Sequence, residues 1–248
     1  VVSSNAGTGC ALIVAWVDSD EHGRVHPRGT APEAVTTDEA VRVVLADAQA
    51  LLDAGAGRVI IGITGPPGTG KSTFARRVAE HAGAMASYLP MDGFHLSSAQ
   101  LDRLGRRLRK GAPDTFDVDG YRATLIRVAA AHGVRDVYVP DFDRALEEPV
   151  AAGGVVPAEA RLVVTEGNYL GLWDGVAALL DRLYYLDSDP GVRRARLVAR
   201  HLAGGRSGPE AAHWVDTVDD PNADLIAGTR DRCDRIFDVD VRESPRGR

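Results

Sequence analysis

Lysine is almost missing from this chain. Its 248 residues contain two, Lys71 and Lys110, and arginine and histidine supply the remaining positive charge. Cysteine is equally scarce: Cys10 and Cys233 stand far apart, with no Cys-x-x-Cys pair and no Cys/His cluster. That excludes a disulfide framework and a recognisable zinc site, and it fits a reducing cytoplasm. Long apolar runs are also missing. Residues 10–17 are too few to span a bilayer, and no basic segment precedes them as a secretory signal requires. The formal net charge is −6, so the basic face of a nucleic-acid binder is not expected. There is no internal repeat and no low-complexity tract. At 44% hydrophobic and 26% charged residues, wholesale disorder and collagen-like structure are excluded.

The length suffices for one large α/β domain with its own core. Residues 1–36 scatter Gly, Pro and Ser and read as a loosely ordered N-terminal arm; residues 37–248 read as one domain. A capping signal at Thr36-Thr37-Asp38 and an apolar face from Val41 to Leu52 predict a helix that stops at Gly55/Gly57. Residues 58–64 form an apolar, β-branched run expected of a buried strand. A helix follows over 71–82. Further strands are expected at 86–89, 136–139, 162–165, 183–186 and 235–239. Helices are expected at 121–131, 176–181, 192–202, 210–215 and 223–234. Alternation of this kind predicts an α/β fold with a mainly parallel sheet.

Between the first of these strands and the helix after it lies Gly65-Pro66-Pro67-Gly68-Thr69-Gly70-Lys71-Ser72-Thr73. It satisfies G-x-x-x-x-G-K-[ST] in the strand–loop–helix context that gives the motif its meaning. The glycines allow successive N–H groups to turn inward around a phosphate, and the helix start adds its own free amides. Lys71 would place a compact charge at the β/γ-phosphates of ATP, and Ser72 would ligate Mg2+. In a chain that uses arginine almost everywhere, a lysine here is informative, because a planar guanidinium does not replace an ammonium threaded into such a loop.

The scarcity of lysine narrows the class. A P-loop GTPase needs an Asn/Thr-Lys-x-Asp motif to read guanine, and neither lysine lies in one. A large ATPase motor needs more chain than one compact domain. A small-molecule kinase remains, with a nucleotide-dependent switch or scaffold of weak ATPase activity as the alternative. Asp92, in Met91-Asp92-Gly93-Phe94-His95, follows a strand end, where ligands bind in parallel sheets. There it could accept the proton of an attacking hydroxyl, or simply form the turn before Gly93. Two strands end in a carboxylate able to serve Mg2+, at Glu166 and Asp187. Glu166, followed by glycine, is favoured, since Asp187-Ser-Asp-Pro reads as the cap of the next helix.

The P-loop is followed, in order, by Met91-Asp-Gly-Phe-His-Leu96, Lys110-Gly-Ala-Pro-Asp-Thr-Phe-Asp117, Pro140-Asp-Phe-Asp-Arg144 and Thr165-Glu-Gly-Asn-Tyr-Leu170. This set resembles the phosphoribulokinase/uridine kinase family, nearest its pantothenate kinase-like and fructose-associated nucleoside/nucleotide kinase branch. The resemblance implies a three-layer αβα sandwich with a small helical lid at about 193–215, ATP and Mg2+ as cofactors, and a small-molecule hydroxyl acceptor. It implies Asp92 as base and Glu166 beside the metal. It also implies an acceptor pocket near Pro140–Arg144, where Phe142 replaces a family tyrosine. Arg193, Arg196 and Arg200 share one helix face, which is either solvated or, as the resemblance implies, turned to the phosphates; Arg196 and Arg200 come first and Arg206 next. His95, Tyr121, Asp141, Asp143, Arg144 and Asn168 are the further acceptor candidates, His95 being equally open to a structural role. Asn222 either caps a helix or joins the site. No membrane or nucleic-acid partner is expected, and a homodimer is compatible with these features.

Overall fold

The computed structural model describes residues 31–239. The expectation for residues 1–30 lies outside them. Strand β1 (Glu33–Ala34) leads into α1 (Thr37–Asp53). Thr36 and Glu39 close a reciprocal capping box, satisfying amides that the first helical turn leaves open. Then follow β2 (Val59–Thr64), α2 (Lys71–Ala82), β3 (Ala86–Pro90), α3 (Ser98–Arg103) and α4 (Val118–Ala130). After them come β4 (Val137–Asp143), β5 (Glu148–Val156), β6 (Leu162–Glu166) and β7 (Arg182–Asp187). The described residues close with α5 (Pro190–Ala203), α6 (Gly208–Trp214), α7 (Asp220–Ala227) and β8 (Arg235–Asp238).

Six strands form one sheet in the order β1-β8-β7-β2-β6-β3, and every pairing in it is parallel. Helices cover both faces, so every residue of β2 is buried, as a central parallel strand requires. Alternation along β2 divides the core. Val59, Ile61 and Ile63 pack toward α1 and α2 with Phe74 and Val78. Ile60 packs on the other side with Tyr121, Leu125 and Trp173. Gly62 faces that second layer, where a Cβ would come within 2.5 Å of Leu180. The α/β expectation is met: the sheet is mostly parallel and sandwiched by helices.

Several expectations change. Glu33–Ala34, assigned to the arm by sequence, pairs with β8 at the sheet edge. The strand expected at 136–139 does not enter the main sheet. It becomes β4 and pairs antiparallel with β5 alone, with Pro140 at a register shift between Val139 and Asp141. β5 went unseen, since Glu-Pro-Val-Ala-Ala-Gly-Gly-Val-Val has no clean period of two. The helix expected at 176–181 is one short turn, Ala177–Leu179. The helix expected at 223–234 starts earlier and ends at Ala227, before Gly228. Between α6 and α7, Val215–Asp219 form a π-helical turn. Among the described residues, no helix is long and apolar enough to cross a membrane.

Candidate active site

The strand order places three chain segments side by side. The loop after β2 lies between the ends of β6 and β7, and the β6 end carries Glu166 in register with Pro90 of β3. Asp92 begins just beyond that point. The P-loop, Glu166 and Asp92 therefore open into one cleft of about 1220 Å3.

The loop conformation depends on glycine at two close approaches. Gly65 has φ +148°, and a Cβ there would lie 2.2 Å from the Leu186 carbonyl oxygen. Gly68 has φ +83°, with the Arg193 carbonyl 2.8 Å from a Cβ. Gly70, also in the left-handed region, caps α2 without a side chain, so the first amides of α2 keep no side-chain partner there. Thr69 bonds back to the Pro66 carbonyl. Lys71 is buried and donates to the same carbonyl at 2.8 Å. Burial lowers its pKa to about 8, against the pull of Glu166 and Asp92.

Glu166 is 4% exposed. Tyr88 donates to its Oε1 at 2.7 Å, and the nearby Ser72 hydroxyl favours the charged form of the same carboxylate. Burial, then the negative charge of Asp92, raises its pKa, while Lys71 pulls it back. Burial would raise Asp92 too, but His95, Arg144 and Lys71 outweigh it and hold that carboxyl below its ordinary value. Two neighbouring carboxylates are thus pushed in opposite directions, the pattern of a pair with divided roles. Asp187 lies apart: its carboxylate pairs with Arg230 at 2.8 Å, while Asp189 caps α5 by accepting from Gly191 and Val192. An oxygen pair at a phosphate loop suits Mg2+, which takes one or two protein oxygens together with substrate phosphates. Ser72 and Glu166 are the residues here that could supply such a pair. Among the described residues, no group of three or more His, Cys, Asp or Glu could hold a metal unaided.

Toward the hairpin, Arg144 reaches Asp92 at 2.5 Å. His95 donates from Nδ1 to the Asp92 carbonyl at 2.8 Å, since a carbonyl can only accept; the neutral ring therefore keeps Nε2 as an acceptor. Burial lowers its pKa. Its ring lies 3.9 Å from Phe116 and 5.0 Å from Phe142, centroid to centroid. His95, Phe142, Arg144 and Asn168 all line the cleft.

Three acceptor candidates do not. Tyr121 is fully buried. Its hydroxyl lies 2.6 Å from Thr165 Oγ1, and its ring packs edge-on against Phe94. Asp141 accepts from the Phe142 amide, and Asp143 accepts from Ala145 and Leu146 to close the hairpin turn. Their polarity serves the core and the turn, and local pattern alone does not distinguish that from a ligand role.

On the opposite rim, α5 carries the arginines. Arg196 donates to the Gly68 carbonyl at 3.3 Å and Arg193 to that of Pro67 at 3.4 Å. Arg200 lies 4.0 Å from Asp219. Arg206 donates to His201 Nδ1 at 2.9 Å, His201 bonds Asp219 at 2.7 Å, and the Arg206 guanidinium sits 4.0 Å above the Trp214 ring. Asn222 is buried and lines the same cleft. Tyr88, His201, Asp219 and Trp214 escaped sequence reasoning, because nothing in their spacing ties them to the P-loop.

The model of the phosphoribulokinase/uridine kinase family matches residues 60–239. YggC of Escherichia coli (strain K12) is 33% identical over 178 residues, covering 68% of this chain and 73% of YggC. C227.14 of Schizosaccharomyces pombe, provisionally named a uridine kinase, is 38% identical over 161 residues, 60% of this chain and 68% of that one. A crystal structure from Silicibacter sp. TM1040, provisionally named a fructose transport system kinase, has a TM-score of 0.67 and 33% identity. It covers 77% of this chain and 97% of that one. YFH7 from Saccharomyces cerevisiae shares the fold at a TM-score of 0.70 and 20% identity, over 85% of this chain and all of its own. The chain belongs to the phosphoribulokinase/uridine kinase family, and it is a kinase that transfers phosphate from ATP to a small metabolite.

Proposed function

We propose that the protein transfers the γ-phosphoryl group of ATP to a hydroxyl of a small polar metabolite: a sugar, a pantothenate-like alcohol or a nucleoside. The observation that carries this reading is the pair Asp92 and Glu166. One cleft brings both to Lys71, with pKa values displaced in opposite directions. A phosphate acceptor is already ionised and has no need of a base, whereas an alcohol must lose a proton.

The amides of residues 65–73 cradle the phosphates, and Lys71 meets the β/γ oxygens. Ser72 and Glu166 hold Mg2+, which when bound neutralises phosphate charge. Asp92, ionised at neutral pH, orients the acceptor hydroxyl for in-line attack and takes its proton. His95 Nε2 accepts a further hydrogen bond from the acceptor, and Asn168 borders it. Residues 193–215 act as the lid of a single kinase domain that takes in β1 at its sheet edge. Arg196 and Arg200, with Arg206 behind them, close on the transferred group and exclude water. The two distant cysteines suit work in a reducing cytoplasm.

A screen of small alcohols in a coupled ADP-release assay tests the reading. Turnover should rise steeply with a true acceptor. Slow hydrolysis that no acceptor accelerates would instead mark a nucleotide-dependent switch.

A further inference from the structure

The loop before α4 carries four cations in five positions: Arg106, Arg107, Arg109 and Lys110. Asp114 pairs with two of them. Arg106 approaches it at 3.3 Å and Arg109 at 2.6 Å. Among the described residues the other two, Arg107 and Lys110, form no ion pair, and these are the two that line the cleft.

Lys110 is half-buried and touches only neutral groups. Its ammonium donates to the Glu147 carbonyl oxygen and, at 3.5 Å, to Ser98 Oγ. It also lies 5.3 Å from the centre of the Phe142 ring, and the Arg144 guanidinium lies 5.0 Å from the same ring. Phe142 thus ties both cations to the acceptor end of the cleft. Four of the five N–H donors of Arg144 are not committed to Asp92. The opposing charges there are few. They are Asp92, the exposed Glu147, and Glu148, whose carboxylate takes the Ser98 amide at 3.1 and 3.0 Å and acts on Lys110 and Arg107 without an ion-pair contact. In a chain of net charge −6, three cations therefore gather where the acceptor must sit. A partly desolvated ammonium with no carboxylate in contact gains from a ligand that brings one.

Building on the hydroxyl-transfer reading above, we propose that the acceptor carries an anionic group, a carboxylate or a phosphate, held by Arg107, Lys110 and Arg144 while its hydroxyl faces Asp92. Arginine forks and a lysine point charge are the chemistry that recognises such oxyanions.

Two measurements test it. The first uses no turnover. Protein saturated with a non-hydrolysable ATP analogue is titrated calorimetrically with inorganic phosphate and, separately, with acetate. At least one should bind, the stronger identifying the anion, and Lys110→Met and Arg107→Gln should each weaken it about tenfold. The exposed Arg107 keeps the test open should Lys110→Met fold poorly. Absent binding of both anions, or binding that neither variant changes, overturns the proposal. The second measurement compares matched acceptors: glycerol, glycerate and glycerol phosphate, then fructose and fructose 6-phosphate. Anionic members should exceed their neutral parents at least tenfold in kcat/KM, and Lys110→Met should raise acceptor KM while leaving the KM for ATP unchanged. Preference for the neutral parents overturns the proposal. Anion binding that depends on Lys110, with no panel member phosphorylated, counts instead against hydroxyl transfer.

Discussion

Arg144 Nη2 lies 2.5 Å from Asp92 Oδ2, joining residues 52 apart in the chain. The contact follows from backbone packing. At Gly93 a Cβ would stand 2.5 Å from the Pro140 carbonyl oxygen, so only glycine lets the turn after β3 press against β4. That contact brings the hairpin, with Arg144 at its turn, over the carboxylate.

Asp92 should therefore be a base that is already ionised at neutral pH. Asp92→Asn keeps the shape but cannot take a proton. It should reduce kcat by about 10²–10⁴-fold while ATP binding stays nearly intact. Steady-state kinetics on the acceptor found by screening checks this. A near-normal kcat would show that the loose transition state manages without a base.

Glu166→Gln should raise the Mg2+ concentration needed for half-maximal ATP binding far more than Asp187→Asn does. Glu166 sits against Ser72, whereas Asp187 is paired with Arg230. A Mg2+ titration of nucleotide binding compares the two. A larger shift for Asp187→Asn reverses the assignment.

Lys71 gives a pH signature. Burial lowers its pKa to about 8, so in the free protein it loses its proton as pH rises through that value. Phosphate charge beside it favours the protonated form. ATP binding should then take up a proton near pH 8 to 9, and affinity should fall as pH rises through that window. Calorimetry in buffers of different ionisation enthalpy reads the uptake directly, and Lys71→Ala should abolish it along with most of the affinity.

Tyr121→Phe should leave kcat and both KM values unchanged and cost about 1 kcal/mol of stability, the worth of one hydrogen bond. Thr165 Oγ1 gives its proton to the Leu89 carbonyl, so it keeps that bond when the tyrosine hydroxyl is removed. Chemical denaturation and kinetics on the same variant separate this structural role from a part in catalysis.

The sequence by itself determined what depends on neighbours in the chain. Periodicity located α1, α2 and most sheet strands, because burial repeats every 2 or 3.6 residues. The glycines of 65–70 specified a loop that other residues cannot form, and Lys71 and Ser72 came with it. Only the tertiary structure decided the rest. Glu166 and Asp187 both end apolar strands. Which of them meets Ser72 depends on how Glu166 and Asp187 sit relative to a loop carried by β2, which runs between their two strands. Tyr121, Asp141 and Asp143 have the polarity of ligands, but packing turned the first into the core and the hairpin turn absorbed the others. That Arg107 and Lys110 face the cleft became visible only once Asp114 was seen to hold their neighbours. Strand order, hairpin placement and ion pairing join residues distant in the chain, so no local pattern encodes them.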